Sequence, residues 1–145
     1  MHITFICTGN TCRSPMAEGI AREIISKKYP DSGITVSSAG VATCNGAPAS
    51  QHSIDVCAEI GIDISSHRSQ KLNPEIIEKT DLFAVMTQSH KYYMMPWGIP
   101  AEKIVVLGDI SDPYGGDEDE YRACRGENYR AGGGLRKTRT ETLKQ

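Results

Sequence analysis

Ile3-Thr4-Phe5-Ile6-Cys7-Thr8-Gly9-Asn10-Thr11-Cys12-Arg13-Ser14-Pro15 sets the frame for the whole chain. Ile3, Phe5 and Cys7 alternate with Thr4 and Ile6 in a β-branched and aromatic-rich run, the pattern of a strand. Ser14 is a good N-cap and Pro15 a good first helical residue, with Met16, Ala17, Ile20, Ala21, Ile24 and Ile25 following at helical spacing. The residues between link a strand end to a helix N-terminus. Successive backbone N–H groups in such a loop can face one concavity, and the helix dipole favours negative charge there. Gly9 opens backbone conformations closed to other residues, and Asn10 tolerates left-handed geometry. Arg13 adds a planar fork of donors suited to two phosphate oxygens. A cysteine in this field should lose its proton well below the free value of about 8.5. The stretch predicts an anion cradle formed by Thr8, Gly9, Asn10, Thr11, Cys12, Arg13 and Ser14, with the Cys7 thiolate as nucleophile at its floor. A buried apolar cysteine is the other reading of Cys7 alone, but it leaves the arginine, turn and cap in register unexplained.

Outward from this stretch, strands and helices alternate. Ile34-Thr35-Val36-Ser37-Ser38 reads as a second strand, and Leu82-Phe83-Ala84-Val85-Met86 and Lys103-Ile104-Val105-Val106-Leu107 as a third and fourth, the last two nearly continuous apolar runs of the buried parallel kind. Helices are predicted over Ser50 to Ile60, closed by Gly61, over Pro74 to Lys79 with Asn73 as N-cap, and over Ser89 to Met95. The alternation implies right-handed crossovers and a single α/β domain over residues 1–145, a four-stranded mostly parallel sheet with helices on both faces. Ligands of such sheets bind beyond the carboxyl ends of the strands, where the Cys7 loop lies.

Composition agrees. A chain of 145 residues with 39% hydrophobic content can bury a core. A net charge of -2 argues against nucleic acid or an anionic membrane as main partner. No apolar run is long enough to span a bilayer, and the N-terminus enters a strand directly, with no signal peptide. Five cysteines, one placed for reactivity, suit a reducing cytoplasm better than a disulfide framework. No cysteine and histidine spacing resembles a zinc site, so neither a metal nor another cofactor is expected.

A second chemical element follows the fourth strand: Gly108-Asp109-Ile110-Ser111-Asp112-Pro113-Tyr114-Gly115-Gly116. Breaking a bond from phosphorus to an oxygen or nitrogen leaving group needs a proton donor. A partly buried aspartic acid, its pKa raised near a bound dianion, can serve. Asp112 and Asp109 are both candidates, and an aspartate before proline is also a common turn residue.

Cys7 to Pro15, taken with Asp112-Pro113-Tyr114, resembles the low-molecular-weight protein tyrosine phosphatase family from Met1 to about Tyr121. Other cysteine phosphatases usually carry a histidine where Ile6 stands. The resemblance implies hydrolysis of phosphotyrosine in proteins through a covalent phosphocysteine, with inorganic phosphate as product. Cys7 would be the nucleophile, Arg13 the phosphate clamp and Asp112 the general acid and then base. Ser38 and His67 resemble the serine and histidine that join the loop asparagine and serine, here Asn10 and Ser14, in a supporting network. His52 and His90 match no family position and receive no role. The family often links two loop cysteines under oxidation, which implies a reversible Cys7–Cys12 disulfide, while Cys44, Cys57 and Cys124 read as structural thiols.

Substrate identity turns on Thr11. Tyrosine-directed members usually carry a branched apolar residue there, whereas threonine resembles the bacterial protein arginine phosphatases, as do Ser38-Ala39-Gly40-Val41, Asn45-Gly46 and Asp112-Pro113-Tyr114-Gly115-Gly116. A hydroxyl on the pocket wall suits a guanidinium better than a phenyl ring. Tyr114 would be the main ring at the entrance. Phosphoarginine is therefore the alternative substrate. Thioredoxin-coupled arsenate reductases share the loop but need two more cysteines after the third strand, and Met86 to Met95 contains none. A sugar-transport phosphocarrier needs neither Arg13 nor Asp112, and a non-catalytic phosphate-binding module does not need Cys7. The oligomeric state has no signature in the sequence. Near the C-terminus, Asp117 to Glu120 begin a last helix, and Gly126 and Gly132-Gly133-Gly134 predict an irregular tail over about 126–145, with Leu135 and Leu143 as its apolar anchors.

Overall fold

A strand reading Ile3-Thr4-Phe5-Ile6-Cys7 can bury both faces only between two neighbours and two helical layers, and that is its position. The computed structural model describes residues 1–108 and 110–130. Its elements run β1 (His2–Cys7), α1 (Arg13–Lys28), β2 (Thr35–Gly40), α2 (Gln51–Ala58), α3 (Pro74–Lys79), β3 (Leu82–Val85), α4 (Gln88–Met94), β4 (Ile104–Val106) and α5 (Glu118–Arg130). All strand pairs are parallel, in the order β2-β1-β3-β4, with Cys7 opposite Gly40 and Ile6 opposite Val85. The chain is thus a single α/β domain with a four-stranded parallel sheet.

The period-2 alternation of β1 decides which layer each side chain enters. Ile3, Phe5 and Cys7 join Met16, Ile20, Val56, Cys57, Tyr121 and Cys124 under α1, α2 and α5. Ile6 joins Phe83, Val85, Leu72, Ile76 and Met94 under α3 and α4. Phe5, Ile6, Ile20 and Phe83 are essentially inaccessible to solvent, and each such side chain stabilises the fold by about 1.5–3 kcal/mol. Because β1 has neighbours on both sides, the connections leaving it and returning to β3 diverge at its carboxyl end, the switch point where open α/β sheets form crevices.

Several sequence expectations shift here. Ser14 is not the N-cap: α1 starts at Arg13 after Cys12, with no side-chain cap. The Ser14 hydroxyl is instead 2.9 Å from Cys7 Sγ and accepts from Asn10 Nδ2 at 2.8 Å. Pro15 still falls in the first turn, where its missing N–H costs nothing. β2 starts one residue later and runs two further than read, because Ala39 and Gly40 pair with Ile6 and Cys7. α2 ends at Ala58 rather than Ile60, and Gly61 follows with φ 78; Ser50 caps it and Asn73 caps α3. α4 begins at Gln88 with Thr87 as N-cap.

α5 continues through Gly126 to Arg130, against the predicted break. Tyr121, Cys124 and Asn128 form one buried stripe, and Arg125 bonds the Val56 carbonyl at 2.6 Å and Glu59 at 2.7 Å. That packing outweighs a glycine cost of about 1 kcal/mol. Asp109, Gly132-Gly133-Gly134, Leu135 and Leu143 lie outside the described residues. Among the described residues no helix is long and apolar enough to cross a membrane.

Gly40 marks the closest approach of β2 to the loop. A Cβ there would lie 2.6 Å from the Thr8 carbonyl oxygen and 3.1 Å from Asn10 Cβ. Backbone cannot step aside, so Gly40→Ala is expected to destabilise by about 1–3 kcal/mol. The measurement is urea denaturation, and an unchanged midpoint would show that the loop does not rest on β2.

Candidate active site

Thr8 to Cys12 turn back over the end of β1 because Asn10 takes φ 57, the left-handed region. Asn10 is fully buried, and its polar atoms are matched. Its Nδ2 donates to Ser14 Oγ at 2.8 Å and to Ser38 Oγ at 2.9 Å, its Oδ1 accepts from the Gln70 N–H at 2.9 Å, and its carbonyl accepts from His67 Nε2 at 2.7 Å. Ser38 in turn donates to Glu18 at 2.7 Å. The loop backbone is fastened further by Val41 N–H to Cys7 O at 3.0 Å, Ala42 N–H to Thr8 O at 3.0 Å and Ser50 N–H to Thr11 O at 2.8 Å. The structure therefore brings Ser38 and His67 to Asn10.

Cys7 is buried beneath this loop. Its sulfur lies 2.9 Å from Ser14 Oγ and 3.2 Å from the Asn10 N–H. Burial pushes the Cys7 thiol up; hydrogen bonds from the Ser14 hydroxyl, the Ser14 N–H and the Asn10 N–H, with the Arg13 charge, pull it down less strongly. The donors alone predict a thiolate, and complete burial reverses that direction.

Arg13, itself buried, donates Nη1 to the Ile110 carbonyl at 3.3 Å and Nη2 to Thr8 Oγ1 at 3.4 Å. Asp112 approaches from the loop after β4, its Oδ2 3.5 Å from Arg13 Nη2 and its Oδ1 accepting from the Tyr114 N–H at 3.1 Å. That side chain is 52% exposed, so Asp112 is not the partly buried carboxyl predicted: it sits at the rim, held by charge. Its loop is pinned on one side by Ile110 N–H to Met86 O at 2.9 Å, and on the other by Ser111, whose N–H and hydroxyl donate to Glu127 of α5. The loop from Cys7 to Arg13, Asn10 excepted, together with Asp112 and Tyr114, lines a cleft of about 220 Å³. Tyr114 is 80% exposed at its edge.

A family model described as low molecular weight phosphotyrosine protein phosphatase matches residues 2–142. The chain belongs to that family. It is 36% identical over 136 residues to a protein-arginine-phosphatase of Bacillus subtilis, covering 88% of this chain and 89% of the relative. It is 35% identical over 127 residues to an arsenate reductase of Staphylococcus epidermidis, covering 86% of this chain and 87% of the relative. A crystal structure of a low molecular weight protein tyrosine phosphatase from T. tengcongensis superposes with a TM-score of 0.87 at 37% identity, covering 95% of this chain and 99% of that one. The relatives named as phosphatases make this a family of phosphoric monoester hydrolases.

The remaining cysteines and histidines of this phosphatase-family chain sort by environment. Cys57 and Cys124 are fully buried, and burial pushes both thiols up to about 12. Cys44 is exposed, so it is not the structural thiol predicted. Cys12 is a free thiol lining the same cleft as Cys7, 3.3 Å from the Tyr121 hydroxyl. His52 lies against Tyr121 with the two rings tilted, their centroids 5.1 Å apart. His90 is the residue that the sequence reading passed over. It is 5% exposed, its Nε2 2.9 Å from Thr8 Oγ1 and its Nδ1 2.9 Å from Thr87 Oγ1. The available signal was position, since it follows β3 at the same sheet end as the Cys7 loop.

Burial first, then the Arg13 charge, lowers His90 to about 4, with Asp112 opposing. An unfolded histidine titrates near 6.5. Between those values the unfolded chain takes up a proton that the native chain refuses, so His90 lowers stability as pH falls from about 6.5 to about 4. The stability advantage of the wild type over His90→Asn is expected to shrink across that window. Urea titrations at stepped pH check this, and a constant difference would contradict it.

Proposed function

We propose that the chain is a protein phosphatase that acts through a phosphocysteine on Cys7, and that its substrate residue is phosphoarginine. The observation carrying the reaction class is the convergence of the Ser14 hydroxyl and the Asn10 N–H on the sulfur of Cys7, beside the Arg13 guanidinium. Donors on a buried sulfur stabilise its anion, and a guanidinium fork fits two equatorial oxygens of a phosphoryl group. A substrate dianion meeting the thiol carries the same number of protons as a monoanion meeting the thiolate, so burial of Cys7 is compatible with attack once the substrate is seated.

In the first step the Cys7 proton passes to a phosphoryl oxygen of the seated dianion, Cys7 Sγ forms the S–P bond while the bond from phosphorus to the leaving atom breaks, and Asp112 gives that atom a proton. In the second, water attacks phosphorus, Asp112 takes its proton, the S–P bond breaks and inorganic phosphate departs with the thiolate regenerated. Asn10, Ser14, Ser38 and His67 hold the loop in shape for both steps. Asp112→Asn keeps the size but not the proton. It is expected to lower kcat on p-nitrophenyl phosphate about 100-fold or more, with inorganic phosphate still binding; unchanged turnover would remove Asp112 from the reaction.

The phosphoarginine reading rests on Thr11, which lines the cleft, together with relatives named protein-arginine-phosphatase at 36% and 40% identity. A threonine oxygen can accept from a guanidinium, whereas a phenyl ring would leave it unpaired. Phosphotyrosine is the second reading. It is favoured by the exposed Tyr114 ring at the rim, and relatives such as that of Acinetobacter johnsonii at 37% identity are named as tyrosine phosphatases. The arsenate reductase likeness gains no support from the cysteines: Met86 to Met95 has none, and Cys57 and Cys124 lie in the core with raised thiols.

Replacing Thr11 with isoleucine removes the hydroxyl and keeps the branch. The ratio of phosphoarginine to phosphotyrosine peptide turnover is expected to fall roughly tenfold or more in Thr11→Ile. A ratio equal to that of the wild type would leave phosphotyrosine as the better reading.

A further inference from the structure

His90 does not line the cleft, yet it completes a line of polar contacts that ends on the phosphate clamp. We infer that His90 is a positioning residue: through the hydroxyl of Thr8 it fixes the Arg13 guanidinium in the orientation that receives the phosphoryl group. This inference rests on the phosphocysteine reading above.

The directions of the hydrogen bonds carry the argument. A guanidinium only donates, so Thr8 Oγ1 accepts from Arg13 Nη2 at 3.4 Å. The Thr8 hydroxyl hydrogen must then point elsewhere, and His90 Nε2 stands 2.9 Å from that oxygen. With Nε2 accepting, Nδ1 carries the imidazole hydrogen and donates to Thr87 Oγ1 at 2.9 Å. Thr87 Oγ1 also accepts from the His90 N–H at 3.3 Å as the cap of α4, so the far end of the line is fastened to a helix. Donation runs Arg13 to Thr8 to His90 to Thr87 without reversal.

A free threonine hydroxyl rotates and can present its hydrogen to the guanidinium, donor against donor. The bond to His90 removes that rotamer. Arg13 then has two fixed acceptors, the Ile110 carbonyl for Nη1 and Thr8 Oγ1 for Nη2. A planar fork held at two points cannot swivel, and orientation of this kind is what a transition-state clamp requires. A charged imidazole would donate from both ring nitrogens, to Thr8 and to Thr87, reversing the line at Thr8 and placing a second cation beside Arg13. Burial and the neighbouring guanidinium keep His90 neutral, as the line demands. The groups facing it are Arg13 and the Asp112 carboxylate, whose opposing influence is the smaller.

The test separates position from bulk. In His90→Gln the longer side chain brings an amide to the place of Nε2, so Thr8 keeps its acceptor; in His90→Asn the amide reaches only the place of Nδ1, so Thr8 loses it. His90→Asn is expected to lower kcat/KM for p-nitrophenyl phosphate about tenfold and to weaken inhibition by inorganic phosphate by a similar factor, the size of one lost hydrogen bond to a charged site. His90→Gln should stay within about threefold of the wild type on both readouts. In a Thr8→Val background, where the hydroxyl is gone, His90→Asn should change neither. Equal losses in the Asn and Gln variants, or a His90→Asn loss that persists with Thr8→Val, would overturn the inference. Those results are read against a wild type that turns over p-nitrophenyl phosphate; absence of wild-type turnover would instead remove the phosphocysteine reading and this inference with it.

Discussion

Asn10 is the constraint on which the site depends. A non-glycine residue in left-handed geometry costs roughly 1–2 kcal/mol, and a buried amide with unmatched atoms would cost more. Here each polar group of Asn10 has a partner drawn from a different part of the chain: Ser14 on α1, Ser38 on β2, and His67 and Gln70 from the segment leading to α3. Gln70 N–H donating to Oδ1 fixes which end of the amide is which. Nδ2 must then donate to Ser14 Oγ, and the Ser14 hydroxyl hydrogen is left to face Cys7 Sγ at 2.9 Å. One amide thus decides both the shape of the loop and the polarity of the nearest side chain to the nucleophile.

The strand, loop and helix were legible because their determinants are local. Alternation over Ile3 to Cys7, the helical spacing from Met16 to Ile25, and Asn73-Pro74 ahead of α3 all act within a few residues. Ser14 was misread for the same reason. Capping preferences count what a serine can do for its own helix, whereas this hydroxyl serves Cys7 and Asn10, which reach it through space. Gly126 was read as a breaker because propensity ignores the Arg125 contacts to α2, which exist only once α5 docks. Ser38 and His67 were found by likeness alone. His90 could not be found so, since its partner Thr8 is 82 residues away and nothing in Gln88-Ser89-His90-Lys91 announces it.

Two hydroxyls flank the nucleophile and share one design. Ser14 accepts from an amide that can only donate at that atom, so its hydrogen goes to sulfur; Thr8 accepts from a guanidinium that can only donate, so its hydrogen goes to His90. A rotatable hydroxyl is adaptable by itself and directional once one side is saturated by an obligate donor. The loop gains rigidity without large side chains that would fill the cleft, and its donors are oriented before a substrate enters, which is the condition for electrostatic stabilisation to act on charge as it develops.

The Arg13–Asp112 contact gives the cleft a sense of occupancy. A bare guanidinium in a buried wall is costly, and Asp112 offsets that cost from the rim at 3.5 Å while remaining half in water. A phosphoryl dianion arriving on Arg13 would take over as the counter-charge and leave Asp112 facing an anion in place of a cation. Both changes favour protonation of the carboxyl. In the proposed reaction the substrate's own charge therefore converts Asp112 from partner of the clamp into the acid that the leaving group requires. Departure of inorganic phosphate restores the ion pair. This coupling needs no movement of the sheet. It needs only that Asp112 sit where solvent can reach it, and its exposure, which at first reading weakens its claim to be the acid, is what lets it exchange the proton between turnovers.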